Sequence, residues 1–99
     1  MSLKGKIESM PKIEKEIIIK NEQGLHARPA AMFVQIASKY NSEITVRKGD
    51  EKINGKSIMG ILTLGAQQNS SIIVEADGED AESVLADLEA LLSKENIHE

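Results

Sequence analysis

Apolar positions recur with two different periods along the chain, and each change of period marks the border of an element. Alternation with a period of two predicts strands at residues 13–20, 43–48, 51–54 and 70–76. The first of these segments is rich in β-branched side chains and places Ile17 and Ile19 on one face. The second and third are separated only by Gly49 and Asp50, so they are predicted to form a hairpin.

Three other segments have apolar residues at helical spacing. The first starts near Pro29, whose missing N–H costs nothing in a first turn, and its apolar stripe comprises Ala30, Phe33, Val34, Ala37 and Tyr40. A short helix is predicted from Ser57, a suitable N-cap, to about Gly65. Residues 80–93 show the clearest pattern, with acidic residues in the first turn and a stripe of Ala81, Val84, Leu85, Leu88, Leu91 and Leu92.

The resulting order, β-α-β-β-α-β-α, limits the architecture. Strands with one apolar face need a layer of helices over that face alone. The order therefore predicts an α/β fold of the α+β type, a two-layer sandwich whose mixed or antiparallel sheet is open to water on its other face. We expect one domain at residues 13–93, a flexible polar extension at 1–12, and a C-terminal tail at 94–99 that frays.

Composition narrows the class of function. The chain has 99 residues, no Cys, and 12 basic against 16 acidic residues, which gives a net charge of −4. Disulfides and Cys-based zinc sites are therefore excluded. A nucleic-acid-binding sandwich is disfavoured, because it needs basic charge and exposed aromatic side chains, and this chain has one Phe and one Tyr. No apolar run approaches membrane-spanning length and no signal peptide is visible, so we expect a cytoplasmic protein.

The stretch GLHARPA, residues 24–30, holds the candidate chemistry. His26 stands directly before the predicted helix and Arg28 lies in its first turn, where main-chain N–H groups and the helix dipole favour an anion. No Ser, Thr, Asp or Asn at residues 25–27 caps these N–H groups, which leaves them for a ligand. An imidazole is also a nucleophile able to carry a covalent group. A phosphate site and an ordinary polar turn residue are both compatible with this spacing.

Two other chemistries lack support in the sequence. The second histidine is His98, in the predicted tail, and no HxxxH pattern or carboxylate cluster accompanies His26. No metal site is therefore predicted. The sequence also contains no motif for a strained Ser with a buried acidic partner, so a hydrolase triad is not predicted either.

Two motifs together indicate a family. GLHARPA resembles the active-site signature of the HPr family, the histidine-containing phosphocarriers of the bacterial phosphoenolpyruvate:sugar phosphotransferase system. GKSIMGILTLG, residues 55–65, resembles the second signature of that family, the regulatory-serine segment. Their order and separation match, and the resemblance covers about residues 13–93. It implies an open-faced sandwich in which three helices cover one face of a four-stranded antiparallel sheet.

The resemblance also implies a mechanism. In HPr-like proteins the motif histidine accepts a phosphoryl group from phospho-Enzyme I and passes it to an EIIA protein. Carried over to this chain, His26 would be phosphorylated at Nδ1, and Arg28 would neutralise and orient the phosphate. The main-chain N–H groups of Ala27 and Arg28 would donate to its oxygens. The protein would then be a carrier, not a turnover enzyme, with no cofactor. The sequence does not indicate an oligomeric state, and a monomer is the simplest expectation.

The second motif implies regulation and docking. Ser57 is a helix cap in any case, and by resemblance it is also the site used by HPr kinase/phosphorylase, a pattern with which Lys56 and Gly60 agree. The resemblance further implies an apolar docking patch for partner proteins, formed by Ala31, Gln35, Ile58, Met59 and Leu62.

Some departures from the family and two alternatives remain. Gln35 and Ser38 stand where some relatives have Arg or Lys, and the N-terminal residues exceed the usual short HPr start. Gln68 and Asn69 stand where many relatives have Lys-Gly, and the turn is expected to survive because Asn tolerates the left-handed conformation. One alternative is the nitrogen-related branch, in which a similar carrier serves a regulatory EIIA. The other is a regulatory interaction module that binds through the Ser57 face and carries no phosphate. Family members of that kind lack the motif histidine, so the presence of His26 and Arg28 counts against it.

Overall fold

The seven predicted elements all form, in the predicted order. A computed structural model describes residues 12–96, so the predicted extension, apart from its last residue, lies outside the described residues. The strands are β1 (Lys12–Ile18), β2 (Glu43–Lys48), β3 (Glu51–Asn54) and β4 (Ser71–Asp77). The helices are α1 (Ala27–Ser38), α2 (Ile58–Leu64) and α3 (Ala81–Leu92).

The four strands form one sheet in the order β1-β4-β2-β3, and every neighbouring pair is antiparallel. The predicted fold class is confirmed. Of the two sheet types that the pattern left open, the antiparallel one is right. In β4, Ile72, Val74 and Ala76 are buried against the helices, and the residues between them face the other side.

The outer face of the sheet is charged. Arg47 on β2 reaches across β4 to Glu14 on β1, with 2.7 Å between guanidinium nitrogen and carboxylate oxygen, and Lys12 lies 3.1 Å from the Glu75 carboxylate. Neither of the chain's two aromatic residues belongs to a strand. This face therefore offers no platform for stacking nucleic-acid bases.

The helices close the opposite face over a core of aliphatic side chains. Phe33 is fully buried at the centre of α1, with Ala30 and Ala37 beside it, and all six predicted stripe positions of α3 are buried. Tyr40 lies beyond the end of α1 and is only half-buried, because its hydroxyl donates to the carboxylate of Asp87. Within residues 12–96 no helix reaches the length and apolarity that crossing a bilayer requires.

The borders of β1 differ from the predicted ones. Lys12 already pairs with Asp77, so the strand begins one residue early. It ends at Ile18 and not at residue 20, because the N–H of Lys20 turns away to the carbonyl of Leu92 in α3, 2.8 Å away. The chain thus leaves the sheet towards the C-terminal end of α3.

The first residues of the predicted tail are bonded to the rest of the fold. The carbonyl of Lys94 accepts from the side chain of Asn21 at 2.6 Å, and the carbonyl of Glu95 accepts from the N–H of Glu22 at 2.8 Å. Residues 97–99 lie outside the described residues. The first residues of the tail therefore lie beside the loop that precedes His26.

Asp80, directly before α3, joins the loop after α1 to the start of α3. Its carboxylate accepts from the N–H of Asn41 at 2.8 Å, from the N–H of Ser42 at 3.0 Å, and from the hydroxyl of Ser42. The hydrogen bond from the Ser42 hydroxyl is the main reason that the pKa of Asp80 is lowered, with the Asn41 N–H next. These bonds require the ionised carboxylate.

Acid is therefore expected to weaken the fold through Asp80. Because its pKa is lower in the folded than in the unfolded chain, its contribution to stability is complete above the pKa of an unfolded carboxyl group, about 4. The contribution is lost as the pH falls through the lower folded value. Asp80→Asn should have a lower free energy of unfolding at neutral pH and a flatter decline on acidification, measured by urea unfolding from pH 7 to 2.

Ser42→Ala is the matched partner variant, because it removes only the hydroxyl donor. Its acid dependence should lie between those of Asp80→Asn and the unmodified chain. An Asp80→Asn variant that loses stability with acid as steeply as the unmodified chain would contradict this role of the carboxylate.

Candidate functional site

His26 occupies the N-cap position of α1. Its main chain is extended (φ −87°, ψ −167°), its side chain is exposed, and it makes no capping hydrogen bond to the helix. Pro29 has no N–H, and the N–H of Ala30 donates to the carbonyl of His26 at 2.9 Å. Two other N–H groups in the first turn, those of Ala27 and Arg28, have no acceptor within the helix because of its geometry. The family resemblance assigns phosphate binding to these two groups, and this assignment stays a prediction.

The site residues predicted in the first motif lie in one open groove. Arg28, Ala31 and Gln35 line it together with His26 and Ala27, and the opposite wall comes from residues 21–23, Glu95 and Asn96. Arg28 thus shares the groove with the acidic residues Glu22 and Glu95. Within residues 12–96 no group of three metal-ligating side chains is present.

Gly24 fixes the loop in front of His26. Its φ of +72° lies in the left-handed region, and a Cβ there would come 2.4 Å from the carbonyl oxygen of Ala66. The next residue, Leu25, donates its N–H to the same carbonyl at 2.9 Å. A residue other than glycine would push the loop away from the segment after α2. The entry to α1 therefore depends on this contact.

Asn21 and the second wall of the groove were missed by the sequence reasoning. NEQG was interpreted only as a strand breaker, whereas Asn21 is buried and hydrogen-bonded to carbonyls about seventy residues further along the chain. A polar residue in a turn carries no local sign of such a partner. Glu95 and Asn96 were assigned to the tail for the same reason.

Ser57 caps α2 as predicted. Its Oγ accepts from the N–H of Gly60 at 3.1 Å, and its carbonyl accepts from the N–H of Ile61 at 3.0 Å. The neighbouring Lys56 donates from Nζ to the carbonyl of Tyr40 at 2.8 Å. The start of α2 is thereby tied to the segment that follows α1.

The apolar side chains of α2 divide into two sets. Ile61 and Leu64 are buried, with 0% and 5% of their surface exposed. Ile58, Met59 and Leu62 remain 40%, 66% and 37% exposed. Three large apolar side chains of this short helix are therefore left at the surface. Helix α2 contacts α1, the helix that carries Ala31 and Gln35.

Comparison with known proteins decides the family. The family model described as the PTS HPr component phosphorylation site matches residues 13–94. The chain belongs to the HPr family. HPr proteins are phosphocarriers, so this membership sets the class of function, and it agrees with the fold and with both sequence motifs.

Individual relatives share most of the chain. The HPr-like protein Crh of Halalkalibacterium halodurans is 41% identical over 83 residues, which are 84% of this chain and 99% of the relative. The crystal structure of HPr-C-His from Thermoanaerobacter tengcongensis is 50% identical with a TM-score of 0.78, covering 81% of this chain and 90% of that one. The phosphocarrier protein HPr of Bacillus anthracis is 38% identical with a TM-score of 0.79, covering 82% and 96%.

The contribution of the contact between Gly24 and Ala66 to the stability of this HPr-family protein can be tested by mutation. Gly24→Ala should lower the free energy of unfolding by about 3 kcal/mol or more, because it adds a steric overlap with main chain to an unfavourable φ. Gly49→Ala is the matched control, since Gly49 has a φ of +60° and nothing within 4 Å of an added Cβ. It should cost about 1 kcal/mol. Equal losses for the two variants, measured by urea unfolding, would contradict the overlap.

Proposed function

We propose that the chain is a phosphocarrier of the bacterial phosphotransferase system, acting as a cytoplasmic monomer. His26 accepts a phosphoryl group from phospho-Enzyme I and passes it to an EIIA protein that serves sugar uptake. The observation that carries this proposal is the position of His26, an exposed imidazole at the N-cap of a helix to which it makes no capping hydrogen bond, in a groove shared with Arg28.

The transfer is an in-line displacement between histidines. Nδ1 of neutral His26 attacks the phosphorus of the donor phosphohistidine. A new P–N bond forms while the old one breaks, and the donor imidazole keeps the electron pair of the broken bond. The N–H groups of Ala27 and Arg28 donate to the phosphoryl oxygens, and the Arg28 guanidinium neutralises their charge. Transfer to the EIIA protein repeats the step with His26 as the donor.

The charges of the groove suit a carrier. A carrier must release the phosphoryl group, so its site has to stabilise the charge without binding it tightly. Arg28 and the helix N-terminus attract the phosphate, whereas Glu22 and Glu95 in the same groove repel it. This opposition keeps the affinity for the phosphoryl group moderate and leaves both transfers reversible.

Docking of Enzyme I and the EIIA protein is assigned to the exposed apolar residues of α2. Ile58, Met59 and Leu62 are the exposed large apolar side chains of α2, and the proposed patch also includes Ala31 and Gln35 on α1, the helix that α2 contacts. A small patch of this kind suits short-lived complexes. The flexible side chain of Met59, the most exposed of them, adapts to different partners.

Two other functions remain as alternatives. A carrier of the nitrogen-related branch would use the same residues with a regulatory EIIA. The similarity to an HPr-like protein named Crh favours a regulatory module as the second candidate. Against the second stands the joint presence of His26 and Arg28 in one groove. Phosphorylation at His26 excludes the module and leaves the two carrier pathways to be separated by the choice of EIIA.

Phosphorylation of the intact chain tests the proposal directly. Incubation with phosphoenolpyruvate and Enzyme I should add one phosphoryl group that mild acid removes, as recorded by intact mass. His26→Ala should fold and gain none, because its nucleophile is lost. His98→Ala is the matched control, since these are the chain's two histidines, and it should be phosphorylated normally. Retained phosphorylation of His26→Ala would refute the proposal.

Arg28→Ala tests the proposed role of the guanidinium. The variant should still fold, because the side chain is exposed and no core packing is lost. Its phosphorylation should be slower by about ten-fold or more, the effect of losing one charge-assisted hydrogen bond. An unchanged rate of phosphoryl acceptance would remove Arg28 from the mechanism.

Ser57 is proposed as a regulatory site for HPr kinase/phosphorylase. A phosphate on its Oγ would be compatible with the start of α2 and would place charge beside the apolar docking residues Ile58 and Met59. Docking would then require that this charge be dehydrated. Phosphorylation of Ser57 is therefore expected to weaken acceptance from Enzyme I while leaving the fold unchanged.

The effect of charge at Ser57 can be separated from the effect on the cap. Asp and Asn both replace Ser well as N-caps, so Ser57→Asp adds a charge and Ser57→Asn does not. Ser57→Asp should lower kcat/KM for acceptance from Enzyme I by about ten-fold, and Ser57→Asn should leave it near the unmodified value. Equal values for the two variants would argue against regulation by charge at this position.

A further inference from the structure

Asn21 is buried without a role in the chemistry proposed for His26. Among residues 12–96 the buried polar side chains are Asn21 and Ser42, and Ser42 is accounted for by its bonds to Asp80. Asn21 is 1% exposed and uses its amide nitrogen twice. Nδ2 donates to the carbonyl of Leu91 at 3.2 Å and to the carbonyl of Lys94 at 2.6 Å.

These bonds belong to a larger contact between the loop and the end of α3. On either side of Asn21, the N–H of Lys20 donates to the carbonyl of Leu92 and the N–H of Glu22 donates to the carbonyl of Glu95, both at 2.8 Å. The last carbonyls of a helix have no intrahelical partner. Residues 20–22 therefore supply donors to the last carbonyls of α3 and to those of Lys94 and Glu95 just beyond it, with the Asn21 side chain at the centre.

Asn21 also sets the turn that leads to His26. Its carbonyl accepts from the N–H of Gly24 at 2.9 Å, and Leu25 is then bonded to Ala66. Asn21 and His26 line the same groove. The side chain of Asn21 thus bonds the loop to α3. Its main-chain carbonyl holds Gly24, which is followed by Leu25, the residue before the N-cap of α1.

We propose that Asn21 is a positioning residue for phosphoryl acceptance by His26, an inference that rests on the proposed function. Its amide holds the loop so that the imidazole meets the incoming phosphorus in line. A displacement of about 1 Å at a reacting group costs up to about a hundred-fold in rate. Loss of the amide should therefore lower kcat. Ile58, Met59 and Leu62, the docking residues on α2, are not among the residues that line the groove holding Asn21, so KM for the chain as a substrate of phospho-Enzyme I should be retained.

Asn21→Leu is the principal test variant. Leucine has a similar size and suits a buried site, but it donates no hydrogen bond to Leu91 or Lys94. Val84→Ala is the matched control, because Val84 is a buried residue of α3 that takes no part in the hydrogen bonds between the loop and the end of the helix. It lowers the free energy of unfolding through lost packing alone. Both variants are compared at a temperature where urea unfolding shows each to be fully folded.

Initial rates of phosphorylation by phospho-Enzyme I, measured against chain concentration, give kcat and KM separately. Asn21→Leu should lose about ten-fold or more in kcat with KM unchanged, while Val84→Ala keeps both. Unchanged kcat in Asn21→Leu would overturn the inference, as would an equal loss in Val84→Ala. An unmodified chain that gains no phosphoryl group on His26 would instead refute the proposed function.

If Asn21→Leu does not fold, hydrogen exchange in the unmodified chain tests the inference instead. The side-chain amide protons of Asn21 and the main-chain amide of Glu22 should exchange as slowly as the amide of Ser93, which is bonded to Glu89 within the end of α3. Rapid exchange at Asn21 and Glu22 would show that the loop is not held by these bonds and would overturn the inference.

Discussion

The site depends on the main-chain N–H groups in the first turn of α1 that have no acceptor within the helix. His26 at the N-cap offers no side-chain cap, Pro29 has no N–H, and Ala30 is bonded to the carbonyl of His26. Two main-chain donors, those of Ala27 and Arg28, therefore point to the end of the helix where its dipole is positive. A capping Ser or Asp in place of His26 would itself accept from the N–H of Arg28, since Pro29 at the next position has none. The imidazole, which does not cap, can instead carry an anion to them.

This arrangement is held from two sides by elements that are distant in sequence. Gly24 packs against Ala66 after α2, and residues 20–22 bond to the end of α3. Both contacts use main-chain carbonyls, which are rigid acceptors compared with long side chains. The imidazole is exposed, but the chain in front of it is hydrogen-bonded to α3 and to Ala66. The exposed apolar residues of α2 lie on a separate element, whereas Ala31 and Gln35, the other two proposed docking residues, line the groove that holds His26.

Much of the fold follows from local patterns, and the sequence predicts those parts well. The seven elements, the cap at Ser57 and the left-handed Asn69 (φ +71°) all depend on residues within a few positions of each other. The helix start at His26 is predictable for the same reason. Asn21 and Asp80 were missed as structural anchors because their partners lie 70 and 38 residues away, and no local pattern encodes such pairings. The position of Glu95 in the groove follows from the same long-range contact.

The main-chain donors at the start of α1 can be observed directly. We would phosphorylate the ¹⁵N-labelled chain with Enzyme I and compare its amide spectrum with that of the unphosphorylated protein. Hydrogen bonding to the phosphoryl oxygens should move the amide protons of Ala27 and Arg28 downfield more than any others, and acid hydrolysis should reverse the shifts. A chain that carries phosphate on His26 while these two amides stay unchanged would contradict the anion site described here. So would a phosphate carried on His98.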